Sequence, residues 1–138
     1  MGKHIIREVM TPGPQTIQAD RPVVEAAKLM KNADAGMIPV MENGNLLGTV
    51  TDRDIALRIV ADGKDPQSTP VREIASTDIV TIEPDRDLDE ALQLMAKHQV
   101  RRLPVVEDGR LVGVLAQADV AREGDEKDVG HTVEEISK

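Results

Sequence analysis

Two stretches of this chain carry apolar residues at i, i+3, i+4 and i+7: Val23, Ala26, Ala27 and Met30, then Leu88, Ala91, Leu92 and Met95. That spacing puts each set on one stripe, so both stretches predict a helix with a single buried face. An aspartate precedes each stripe, Asp20 and Asp85, and suits a helix start. After each helix the period changes. Met37 to Met41 turns at Asn43-Gly44 into Leu46 to Val50, and Arg102 to Val106 turns at Asp108-Gly109 into Leu111 to Leu115. Asn-Gly and Asp-Gly between apolar runs predict hairpins, because these residues accept the positive φ of a tight turn. Short β-branched runs, Thr16-Ile17 and Ile79 to Ile82, predict strands ahead of the helices. Second helices are expected at about 52–60 and 117–122.

The pattern occurs twice because the sequence does. Residues 7–56 recur at 72–121 with a constant offset of 65 and no gap, and 18 of the 50 aligned positions are identical. Arg7-Glu8 returns as Arg72-Glu73, and Glu25-Ala26-x-x-Leu29-Met30 as Glu90-Ala91-x-x-Leu94-Met95. Pro39-Val40-x-Glu42-x-Gly44-x-Leu46-x-Gly48 returns as Pro104-Val105-x-Glu107-x-Gly109-x-Leu111-x-Gly113. A repeat fixes the architecture before local detail does. The expected fold class is α/β (α+β): two β-α-β-β-α repeats packed as a pseudo-twofold pair. Repeat 1 is placed at 7–60, a Gly- and Pro-bearing linker at 61–71, repeat 2 at 72–122 and an acidic tail at 123–138. Within that tail, Thr132-x-x-Glu135 could cap a short helix bearing Val133 and Ile136.

Composition narrows the function. The formal charge of −8 argues against a nucleic-acid partner, which rewards clustered Lys and Arg. There is no Phe, Tyr or Trp to stack on bases, so Val, Ile, Leu, Met and Ala must build the core. The methionines at 10, 30, 37, 41 and 95 read as core filling. Without cysteine there is no thiolate nucleophile and no Cys-based zinc site. No apolar run is long enough for a membrane span, and Met1-Gly2-Lys3-His4 leads into charged residues in place of a signal peptide. A cytoplasmic protein is expected.

The order strand–helix–strand–strand–helix, the apolar-Pro-Val strand, Gly-x-[Leu/Val]-[Leu/Val]-Gly and the Gly-x-x-Thr-x-x-Asp ending resemble the CBS domain, named after cystathionine β-synthase. The resemblance covers roughly residues 5–122. It is closest to stand-alone bacterial two-repeat proteins, including the hypoxic-response type. It implies a regulatory module, not an enzyme, that senses an adenosyl nucleotide (AMP, ADP, ATP or NAD) or S-adenosylmethionine and signals to a protein partner still to be named. It also implies a homodimer paired through helices, with Leu29 and Leu94 off the main stripes in need of cover. The alternative is a ligand-free dimer acting as an interaction protein. No cofactor is required under either reading.

Gly48-Thr49-Val50-Thr51-Asp52-Arg53-Asp54 puts a hydroxyl and a carboxylate at a helix start. A helix N-terminus suits a phosphate, and an ionised carboxylate can accept both hydrogen bonds of a ribose diol. Thr-x-x-Asp is also a capping pattern, so Thr51 and Asp54 could serve only backbone donors. Both readings stand at this point. In the resemblance, the residues before the Pro of the second repeat reach the phosphates, which assigns Arg101 and Arg102, whose planar forks suit phosphate oxygens. Ser76, Ile79 and Thr81 fall where family members line the adenine and phosphate side. A weaker second site would use Asp119 with Thr16 and Ile38: Ala116 replaces the hydroxyl there, and Gly36-Met37 replaces the arginines.

Catalysis and metal binding find no support in the sequence. His4, His98 and His131 share no ligand spacing, and no Ser/His/Asp set is suggested. His98 reads as a partner for a helix C-terminal dipole, and Asp52 with Asp54 as complements of an N-terminal one.

Overall fold

The structure, a computed structural model, describes residues 4–127. Its elements are α1 (Ile6–Val9), β1 (Thr11–Pro12), β2 (Ile17–Gln18), α2 (Val23–Ala33), β3 (Met37–Glu42), β4 (Asn45–Thr51) and α3 (Asp52–Ile55). A π-helical stretch (Ala56–Val60), a 3-10 turn (Val71–Glu73), α4 (Leu88–His98), β5 (Arg102–Glu107), β6 (Arg110–Ala116) and α5 (Gln117–Lys127) follow. The short helix expected around Thr132 and Glu135 lies outside the described residues.

The chain forms two compact units: Pro14–Ile79 is one, and residues 4–13 join residues 80–127 in the other. Each therefore takes the opening residues of the opposite repeat. In the first unit the sheet runs β2-β3-β4, with Ser76 bridging Thr49 on the far edge. In the second it runs β5-β6-β1, with Thr11 opposite Val114 and Ile82 bridging Val105. Thr49–Ser76 and Val114–Thr11 are the same contact, 65 residues apart. So are two ion pairs: Arg72 Nη2 donates to Glu42 Oε2 at 2.9 Å, and Arg7 Nη2 to Glu107 Oε2 at 2.5 Å.

Both hairpins form as their turn dipeptides require, with φ of 54° and 82° at Asn43-Gly44 and 52° and 78° at Asp108-Gly109. The two predicted amphipathic helices form as α2 and α4, burying Val23, Ala26 and Met30 in one unit and Ala91 and Met95 in the other. Their starts differ from expectation. The caps are Pro22 and Asp87, not Asp20 and Asp85. Asp87 and Glu90 form a capping box, whereas Asp85 receives Arg7. On α2, Val23 and Val24 donate their N–H groups to the carbonyls of Thr69 and Pro66, both at 2.9 Å. Those carbonyls do the work of a cap, so residues 66–71 of the stretch read as a linker are bound to this unit.

The strand expected over 79–82 shrinks to one bridge. Ile82 donates to Pro104 O at 3.1 Å and accepts from Val106 N–H at 2.9 Å, but Pro84 two residues on ends the ladder.

The first core gathers Ile17, Val23, Ile38, Val40, Val50 and Ile59 with Val71 and Ile74. The second gathers Ala91, Met95, Leu103, Val105, Leu115 and Val120 with Ile6. Ile6 and Val71 are fully buried and stand at equivalent positions. Edge docking is tight. A methyl group on Gly48 would stand 2.2 Å from the Ser76 carbonyl oxygen. On Gly113 it would meet the Met10 sulfur at 2.5 Å and Thr11 O at 2.9 Å.

Gly48→Ala should therefore cost about 1–3 kcal/mol, the usual penalty of overpacking. Gly113→Ala should cost less, because the Met10 thioether can swing away and the backbone oxygen there, Thr11 O, stands at 2.9 Å from the added methyl, where Ser76 O stands at 2.2 Å from that on Gly48. Ile6→Ala should cost about 2–5 kcal/mol, as for a large core residue. Urea unfolding reads all three, and an unchanged midpoint for Gly48→Ala would show that the edge is not docked there.

Candidate functional site

In the unit of residues 14–79, β4 runs directly into α3 at Thr51. Asp54 N–H donates to Thr51 Oγ1 at 3.1 Å, and Thr51 N–H donates back to Asp54 Oδ2 at 2.9 Å. This is a reciprocal capping box on two half-buried residues. Asp52 N–H, donating to Gly36 O at 3.0 Å, ties the helix start to the lead-in of β3. The capping role read from the sequence is thus present. It uses one carboxylate oxygen only: Oδ1 of Asp54 makes no hydrogen bond among the described residues. The Thr51 hydroxyl accepts in the cap and keeps its own hydrogen to donate.

The remaining candidates of this unit lie at different depths. Ser76 is half-buried and exchanges both backbone bonds with Thr49, at 3.0 and 2.8 Å, two residues before Thr51. Ile79 is also half-buried, and Thr16 is exposed ahead of β2. Ile38 is 1% exposed and belongs to the core, opposite Val50.

In the other unit, Arg102 opens β5 opposite Ala116, and Arg101 O accepts from Gln117 N–H at 2.8 Å, the counterpart of the Gly36 contact. Both arginines are exposed, and neither makes an ion pair among the described residues. Thr81 is exposed at a groove of about 530 Å³ along α4, lined also by Glu83, Arg86, Glu90, Leu94 and Lys97. Arg86 is engaged there by Glu83 and Glu90, each at 3.2 Å.

Asp119, the counterpart of Asp54, is held differently. Ala116 N–H donates to its Oδ2 at a long 3.4 Å, and no hydroxyl returns the bond. Its Oδ1 accepts from the Arg122 guanidinium in a short ion pair. In repeat 1 the position of Arg122 is Leu57, which is half exposed. Sequence reading missed this contact, although Asp119 and Arg122 have the i, i+3 spacing at which helix side chains meet.

His4, set aside as a ligand, lies between two carboxylates: Nδ1 is 3.1 Å from Glu8 Oε1, and Nε2 is 2.8 Å from Glu123 Oε2. The contact with Glu123 is a close approach without hydrogen-bond geometry, and it places α5 beside the N-terminal segment of the same unit. Among the described residues no three His, Cys, Asp or Glu are gathered so as to hold a metal ion, and no helix is long and apolar enough to cross a membrane.

The geometry is that of a duplicated strand–helix junction, and known proteins share the fold that carries it. The family model of the CBS domain matches residues 6–61 and again 71–126. CBS domain-containing protein YhcV of Bacillus subtilis is 48% identical over 116 residues, covering 84% of this chain and 82% of that protein. A crystal structure of Hypoxic Response Protein I, with two coordinated zinc ions, has a TM-score of 0.80 at 34% identity and covers 86% of this chain and 98% of that one. The CBS domain pair of protein MJ0100, in complex with 5′-methylthioadenosine and S-adenosyl-L-methionine, has a TM-score of 0.82 at 25% identity and covers 91% and 99%. The two matched spans begin 65 residues apart, the offset of the internal repeat, and the chain belongs to the CBS domain family as a tandem pair.

Proposed function

We propose that this chain is a cytoplasmic regulatory module that binds an adenosyl compound through Asp54 and Thr51 and signals its presence to a protein partner. The observation that carries the reading is the divided use of the Asp54 carboxylate. Oδ2 is fixed by the Thr51 N–H, which sets the side-chain rotamer, and Oδ1 remains an acceptor for a ribose hydroxyl. A carboxylate held before the ligand arrives loses little rotamer freedom on binding. The MJ0100 pair, crystallised with two adenosyl compounds, supports the ligand class. Arg101 and Arg102, exposed and making no ion pair among the described residues, are assigned to phosphate oxygens where the ligand has them. Ser76, Ile79 and Thr81 are assigned to its adenine and phosphate side. A homodimer paired through its helices is part of the same proposal.

A second reading has its own support. The capping box satisfies the backbone N–H groups of Thr51 and Asp54 without any ligand, as a pair that acts only through its dimer would require.

Thermal shift with AMP, ADP, ATP, NAD, S-adenosylmethionine and 5′-methylthioadenosine separates the two. A true ligand at 100 times its dissociation constant should stabilise by about 2.7 kcal/mol. Absence of a shift with all six would leave the ligand-free reading in place. Asp54→Ala should abolish binding at a stability loss of about 0.5–2 kcal/mol, the usual size of a lost cap. Its failure would be an apo protein that unfolds while the remaining folded fraction still binds. Arg102→Ala should weaken ATP more than adenosine and leave the apo melting temperature nearly unchanged; equal losses for both would remove the arginine from the phosphates. Light scattering should return twice the 15.0 kDa chain mass, and a monomer at micromolar concentration would refute the dimer.

A further inference from the structure

We propose that Arg122 is a built-in competitor at the second repeat: by holding the Asp119 carboxylate, it denies that helix start to the ribose diol which Asp54 accepts at the first. The inference rests on the ligand reading given for Asp54. The two carboxylates occupy equivalent positions, and each turns Oδ2 toward the backbone N–H three residues before it. They part at Oδ1. That of Asp54 has no partner among the described residues, whereas that of Asp119 is taken by a guanidinium from the next turn of its own helix.

The competitor is well placed. Asp119 is only 16% exposed, so its charge is partly withdrawn from water, while Arg122 is 71% exposed and rooted on α5. A guanidinium on the same helix is present at high effective concentration, and an entering diol must displace it. A hydrogen bond to a charged group corresponds to about ten- to hundred-fold in affinity. Leu57, the counterpart of Arg122, has no donor with which to close Asp54 in this way. The side chain three residues after the carboxylate thus selects which half of the duplicated site is open. Arg122 is a positioning residue with a negative effect, and the neutral repeat-1 residue at its place should undo it.

The test uses the full chain and 5′-methylthioadenosine, which lacks phosphate and so does not depend on Arg101 or Arg102. Titration calorimetry should give one more site per chain for Arg122→Leu than for the unaltered protein, or a gain of at least about ten-fold in the affinity of the weaker site. Arg122→Gln should do the same, and adding Asp119→Ala to Arg122→Leu should remove the gain. Circular dichroism should be unchanged in both single variants, since the side chain is exposed. The inference is overturned if Arg122→Leu and Arg122→Gln bind as the unaltered protein does, or if the gain survives Asp119→Ala. It is overturned also if the unaltered chain already fills two equal sites, one of them lost with Asp119. A chain that binds nothing until Arg122 is replaced would keep this inference and sink the Asp54 reading. One that binds once, before and after, would do the reverse.

Discussion

The close approach of two backbones at Gly48 sets the position of nearly everything in the unit of residues 14–79. With a carbonyl where a Cβ would be, Ser76 exchanges both hydrogen bonds with Thr49 and becomes the outer member of the sheet. The turn just before it is thereby committed, and Val71 and Ile74 enter the core. The same strand delivers Thr51 to the helix start two residues later. The second unit repeats the device at Gly113, with Thr11 as the edge and Ile6 as the buried side chain. Such tightness leaves no room for slippage of register, which would turn every core residue outward. The location of the candidate carboxylate is a consequence of edge packing.

Much of this was legible along the chain. Period 3.6 located α2 and α4, and Asn43-Gly44 with Asp108-Gly109 located the hairpins, because in those places local preference and final environment agree. Helix starts were less legible. Asp20 and Asp85 look like caps, but α2 has its first donors met by carbonyls of residues 66 and 69, a contact between segments that no window of sequence contains. For the same reason the exchange of N-terminal segments was invisible. Each repeat taken alone has every element it needs, and only three-dimensional pairing tells which sheet receives the edge. The short run at 79–82 shows the limit from the other side: β-branched residues promised a strand, and Pro84 left room for one bridge.

At the site, the alternatives drawn from Thr51-x-x-Asp54 do not exclude one another. A carboxylate has two oxygens, and the capping box engages one. What decides the chemistry of such a motif is the fate of the other oxygen, which depends on a side chain outside it. The internal homology was traced to Ala56 and Ala121. The next aligned pair is Leu57 and Arg122, and of these only Arg122 engages the carboxylate three residues before it.

The segment exchange also orders events in time. Ser76 closes on Thr49 across a loop of about 30 residues, whereas Thr11 must wait for Val114 across about 100. Closing the longer loop costs about 1 kcal/mol more in chain entropy. On a ribosome the difference is larger in effect, since domains complete themselves as their residues emerge. The sheet and core of residues 14–79 have their named members once Ile79 has left the exit tunnel. Ile6 and Thr11, made before residues 14–79, belong to the unit finished after it. While residues 14–79 are being made they remain an unpaired strand and an uncovered isoleucine, awaiting a sheet that does not yet exist.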